Sequence, residues 1–187
     1  MKPLHLFLLL ALIITLSLSN TSCTKEDPPS ACCDCLKEAT QSGKGTMSMK
    51  INGKNWSNCN PPNPDYGTVG VYWDPEHTTF RITGNKFYTS VEMKENFNIE
   101  VLYPFEGEYT GHKDKNLFRL FFIRSISYGS AEFATDTSKP FHLFITKFDK
   151  NNRIVSGIFD CTMVKLWGDN FAPDSIIISE GRFDTKF

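Results

Sequence analysis

The residues of this chain that can do chemistry are few, and the first is a cysteine. Cys23 stands behind Thr21 and Ser22 at the end of an apolar run. There a lipoprotein signal peptidase would cut, and a diacylglycerol would be joined to the thiol. Five cysteines remain after that use: Cys32, Cys33, Cys35, Cys59 and Cys161. The Cys32-Cys33-Asp34-Cys35 cluster carries soft ligands without the spacing of a closed zinc site. No histidine lies nearby and a secreted chain meets an oxidising compartment, so disulfides are expected there and a metal is not. Cys161 alternates with Val155, Gly157, Phe159 and Met163, which puts its sulfur toward a core. Cys59 closes the short segment holding Trp56. A Cys59–Cys161 bridge is the expected pairing; it would enclose about 100 residues and stabilise the fold by roughly 4 to 5 kcal/mol on the chain-entropy model. The alternative is two buried thiols acting as small hydrophobes.

The other reactive types give weaker patterns. His77 shares a turn with Asp74 and Glu76, a composition ordinary for turns. His112 sits in a charged loop and His142 on a strand facing solvent. Glu106 and Glu108 flank Gly107 and project to one side about 7 Å apart, a solubility feature of one strand rather than a glycosidase pair. No G-x-S-x-G elbow, H-E-x-x-H pair or phosphate-cradling glycine loop occurs. The sequence therefore implies no catalytic residue, no metal and no cofactor. Aromatic rings offer a binding chemistry instead. Trp167 and Phe171 share the polar loop Trp167-Gly168-Asp169-Asn170-Phe171, and Trp73 adjoins a turn. Aromatic faces beside amides and carboxylates suit sugar recognition, and loops carry function more often than strands.

Around these residues the chain divides into three parts: a lipoprotein signal peptide over 1–22, a lipidated neck over 23–45, and a β domain over 46–187. Lys2 followed by the apolar run Leu4 to Leu18 is a secretory leader, too short for the roughly 18 to 20 residues of a permanent span. Removing Lys2 leaves 19 Lys+Arg against 21 Asp+Glu, a net charge of −2. That balance argues against nucleic acid and anionic head groups as partners. In the neck, Cys32 to Thr40 has room for one or two helical turns, and Gln41 to Gly45 reads as a flexible hinge.

The domain, roughly 140 residues long, fits a single core. Its strand candidates are Thr46 to Ile51, Lys54 to Trp56, Thr68 to Trp73, Thr78 to Thr83, Phe97 to Tyr103, Gly107 to Thr110 and Phe118 to Ser125. Phe141 to Phe148, Arg153 to Leu166 and Ser175 to Thr185 complete the set. Asn52-Gly53 supplies the left-handed turn of the first hairpin. Phe, Ile, Thr and Tyr are plentiful, which suits a pleated surface. Runs apolar on successive residues, Leu117 to Ile123 and Ile176 to Ile178, point to strands that are buried on both faces, cover a ligand or meet a partner, with a central strand under a loop or neck helix as the first expectation. The expected fold is all-β, an antiparallel sandwich or an open lipocalin-like barrel.

The hairpin Met49-Lys50-Ile51-Asn52-Gly53-Lys54-Asn55-Trp56 resembles the opening of a widespread family of Bacteroidetes lipoproteins without an established activity. The runs Val155-Ser156-Gly157-Ile158-Phe159 and Ile178-Ser179-Glu180-Gly181-Arg182-Phe183-Asp184 resemble its closing strands. The resemblance stops short of residues 60–139. It implies a β-sandwich or lipocalin-like lipoprotein and assigns no functional residue; its motifs look like a turn glycine, a core tryptophan and a bulge glycine. Thr24 to Asp27 after Cys23 resembles the acidic export signal of such lipoproteins at the cell surface. The expectation is a palmitate-bearing, non-enzymatic binding or structural module on the outer membrane, held by acylated Cys23, with a glycan or an envelope protein as partner. The alternative is a glycan-binding accessory of a surface uptake system.

Overall fold

A computed structural model of the chain describes residues 35–58, 69–74, 76, 78–88, 93–110, 118–126 and 129–187. The leader, Cys23, Cys32, Cys33, Cys59, His77 and His112 lie outside the described residues. Eleven strands follow one another: β1 (Thr46–Ile51), β2 (Lys54–Ser57), β3 (Gly70–Asp74), β4 (Thr79–Tyr88), β5 (Met93–Leu102) and β6 (Gly107–Thr110). They continue with β7 (Phe118–Ile126), β8 (Gly129–Thr135), β9 (His142–Asp149), β10 (Ile154–Gly168) and β11 (Ser175–Lys186). The fold is all-β, as the alternation requires.

All pairings are antiparallel, in the order β2-β1-β11-β10-β8-β7-β5-β4-β3. The 15-residue β10 serves two neighbours in turn on its second edge. Ile154 to Asp160 pairs with β9, which also carries β6, and Met163 to Gly168 pairs with β8. The sheet does not close into a barrel but folds over on itself. Phe97 of β5 stacks on Phe159 of β10 at 5.0 Å, and Phe80 of β4 meets Phe187 edge-on at 5.3 Å. Gly84 of β4 leaves room for Met47 of β1, whose sulfur would stand 2.6 Å from any added Cβ. Each large side chain buried between the layers contributes about 1.5–3 kcal/mol.

The first hairpin turns as expected, with Asn52 and Gly53 at φ 49° and 78°. Asn52 then reaches beyond its own turn. Its amide donates to the Ile177 carbonyl at 2.9 Å, and its side-chain oxygen accepts from the Ile177 amide at 2.8 Å. In β11 the left-handed residue of the bulge is Glu180, at φ 52°. Gly181 answers a different demand, because the Phe159 ring lies 2.5 Å from where its Cβ would be. The Ile176–Ile178 run resolves into ordinary alternation: Ile176 and Ile178 are buried and Ile177 is exposed.

Two expectations change. Residues 36–45 contain no helical turn, and Gln41 to Gly45 is fastened rather than free. The fastener is Asp184, 1% exposed. Its carboxylate accepts from the Thr40 hydroxyl, from the amides of Ser42 (3.2 Å), Gly43 (2.7 Å) and Lys44 (3.2 Å), and from the Ser156 hydroxyl (2.7 Å). Burial alone would raise its pKa. The hydrogen bonds from Thr40, Ser156, Gly43 and Lys44 outweigh that and hold the carboxyl at about 2. Farther up the neck, the Lys37 amide donates to Ser48 Oγ and Arg182 Nη1 donates to the Lys37 carbonyl. The described part of the neck is thus a strap across β1 and β11.

The second change concerns Cys161. It is a free, buried thiol, so no Cys59–Cys161 bridge exists. The alternation placed its side chain correctly in the core, opposite Ile178. There it packs as a small hydrophobe, and burial, helped by the neighbouring Asp160 charge, pushes the thiol pKa far up. Cys35 is disulfide-bonded to a partner outside the described residues, so no two described cysteines are joined.

Candidate functional site

Three neighbouring strands point the same kind of row into the molecule. In β4 the row is Phe80, Ile82, Gly84 and Lys86; in β5, read backwards, it is Val101, Ile99, Phe97 and Glu95. In β7 it is Phe118, Leu120, Phe122 and Arg124. Each is apolar until its last member, which is charged. The register sets Lys86 opposite Glu95 and pairs the row ends across β4, β5 and β7. The charges therefore gather at one end of the sandwich.

That end is open. A cup of about 610 Å³ is lined by Trp56, Lys86, Glu95, Phe122, Arg124, Ala131, Phe133 and Ile176. Its rim comes from the β1–β2 hairpin and from Ala172 and Pro173 of the β10–β11 loop. The volume falls in the range of small-molecule sites, about 300–1,000 Å³. Glu95, 7% exposed, organises one wall. Its Oε2 accepts from the Trp56 indole at 3.0 Å, and its Oε1 lies 3.4 Å from Arg124 Nε. Lys86 is 4% exposed, whereas the Arg124 side chain stands half in solvent at the lip. A buried carboxylate beside a buried ammonium is costly to assemble unless both are well coordinated. Polar groups placed in an otherwise apolar cavity are the kind that can fix a ligand's orientation.

The aromatic residues singled out in the sequence do not converge. Trp167 lies at the same end, but it pairs with Glu132 on the outer face, and its indole donates to Glu132 Oε2 at 2.6 Å. Phe171, at the tip of the adjoining turn, is 98% exposed. Trp73 is opposite Phe80, six residues and about 20 Å along β4 from Lys86. It is half-buried, edge-on to Phe80 and packed on Phe148 and Phe187, with Lys150 Nζ 5.7 Å above its ring. Trp73 therefore extends the core at the far end and shares no site with Trp167 and Phe171.

The remaining candidates are tied into local structure. Glu106 accepts from the Phe148 amide at 2.7 Å, and Glu108 faces His142 at 3.4 Å on the exposed side of the sheet. The two carboxylates thus serve different neighbours. Among the described residues no three His, Cys, Asp or Glu side chains group as metal ligands.

Lys86 and Glu95 were missed from sequence because the strand candidates stopped at Thr83 and started at Phe97, and Arg124, inside the Phe118 to Ser125 candidate, was not singled out. A signal was present: Lys86, Glu95 and Arg124 are each in phase with an apolar alternation. A charge on the buried parity of a strand marks either a strand end or a site. Trp56, read as a core tryptophan, is buried as expected, and its indole nitrogen also braces the cup wall. No family model, no curated protein and no solved structure matches the chain.

Proposed function

We propose that this chain is a lipid-anchored cell-envelope protein whose β domain is a non-enzymatic binding module, with the cup beside Trp56 as its ligand site. The observation carrying the binding assignment is the convergence of Lys86, Glu95 and Arg124 on an open cavity whose deeper wall is Phe122, Phe133 and Ile176. An indole-braced carboxylate, an ammonium and a guanidinium beside apolar walls form a recognition set. The anchor rests on the leader and on Cys23. Two or three acyl chains, at about 0.8 kcal/mol per buried methylene, hold such a protein to the outer membrane without a basic patch.

Mass spectrometry of the native protein tests the anchor. A diacylglyceryl thioether on Cys23 as first residue is the expected result; a bare amino terminus on material that stays out of membranes overturns it. Small molecules co-purifying with the wild-type chain and lost from Phe122→Asp, a substitution inside the cup, would support the site. Equal recovery from both chains would refute it.

A second reading places a glycan on the outer rim. Its supporting observation is the exposure of Phe171 and of the Trp167 ring around the same turn. Saturable binding to one member of a polysaccharide panel, abolished by Trp167→Ala, favours it. Silence across the panel removes it.

A further inference from the structure

The lining of the cup has a sign. Among the described residues of the lining, Lys54, Lys86 and Arg124 face one carboxylate, Glu95, an excess of two positive charges in a chain whose net charge is −1. The cations are also distributed by depth. Lys86 is almost wholly enclosed, Arg124 is half-exposed at the lip, and Lys54 is exposed on the hairpin rim. The rest of the wall is aromatic and aliphatic: Trp56, Phe122, Phe133, Ala131 and Ile176. A cavity with low-dielectric walls focuses the field of such charges and raises the local concentration of anions. An inorganic anion would leave the apolar wall unused, and a neutral hydrophobe would gain nothing from the positive field.

We infer that the cup takes a small amphipathic anion, an apolar body with a single carboxylate, sulfonate or phosphate group. This deepens the assignment of the cup as a ligand site and rests on it. The apolar body lies on Phe122 and Phe133. The head group meets Arg124, whose planar fork of donors suits a two-oxygen anion, with Lys54 adding charge from the rim. Glu95 keeps the Arg124 guanidinium oriented while Trp56 keeps Glu95 in place.

Two probes that differ only in charge test this. 8-Anilinonaphthalene-1-sulfonate carries a sulfonate on the scaffold of N-phenyl-1-naphthylamine, and both fluoresce on leaving water. They are titrated into the mature chain, residues 23–187 carrying Cys23→Ser and made without the leader, which removes both the acylated thiol and the apolar run and so the need for detergent. The anionic probe is expected to bind one per chain, at least tenfold tighter than the neutral one. In Lys54→Gln/Arg124→Gln the two affinities are expected to converge, with the neutral probe unchanged as a control for an intact cup. Equal affinity of both probes for the wild-type chain overturns the anion inference and leaves the cup as an apolar ligand site. Binding of neither probe, in a chain whose far-ultraviolet circular dichroism remains that of a β protein, overturns the inference and the site together.

Discussion

The two ends of this sandwich each bury a carboxylate, and they put it to opposite uses. Asp184 is saturated by its own chain: amides of the neck, the Thr40 hydroxyl and the Ser156 hydroxyl close around it. Glu95 has an indole and a guanidinium on one side and an open cavity on the other. A carboxylate stripped of water needs donors in its place. Where the backbone delivers them the outcome is a clasp. Where side chains deliver them around empty space the outcome is the wall of a cavity.

That contrast is broken most directly at the closed end. Asp184→Ala leaves several amides and hydroxyls without their acceptor and should lower unfolding stability by about 3 kcal/mol, read as a shift of the urea midpoint. A loss equal to that of an exposed alanine substitution would show that the neck contributes nothing. Acid offers a gentler version of the same experiment. The folded pKa of Asp184, about 2, lies below its ordinary 3.8. Its contribution is therefore complete above roughly pH 4 and is lost as pH falls through 2. By linkage this limb amounts to roughly 2–2.5 kcal/mol and should vanish in Asp184→Asn. An identical acid limb in that variant would assign it to other carboxylates.

The open end should respond less. Glu95→Gln keeps the shape and an acceptor for the Trp56 indole while removing the charge, and about 1 kcal/mol is expected. Its larger effect should be on ligand affinity. If Glu95→Gln proves as damaging as Asp184→Ala, the two ends are structurally alike and the contrast fails. Smallest of all, Trp167→Ala and Phe171→Ala should each change stability by less than about 0.5 kcal/mol, since both rings project into solvent. A larger loss in thermal unfolding would mean that the rim turn is part of the core.

How much of this was legible beforehand varies with the kind of signal. Period-two alternation located most strands of the domain, and β6 to the residue, because each has one face to bury. It missed β8, Gly129–Thr135, whose Gly129, Ser130, Ala131 and Ala134 give little apolar contrast. The β1–β2 turn was written in Asn52-Gly53, whereas the grip of Asn52 on β11 depends on a neighbour more than 120 residues away. The fastening of the neck was hidden for the same reason: Gln41 to Gly45 has the composition of a hinge, and only the position of Asp184 makes it a strap. The alternation that placed Cys161 inward was sound. The partner assigned to it was not, because parity fixes a direction and says nothing about distance. The cup was half-visible, as three in-phase charges whose convergence required the pairing of β4, β5 and β7.

The strap also decides where the molecule would take mechanical load. Any tension entering from the amino-terminal side meets the Lys37 bonds to Ser48 and Arg182 first and the bonds around Asp184 next, before it can peel β1 from its neighbours. The bonds around Asp184 tie the neck to β11, and through Ser156 tie β11 to β10, so the load passes into the middle of the sheet. The cup at the other end would then keep its shape until those bonds gave way.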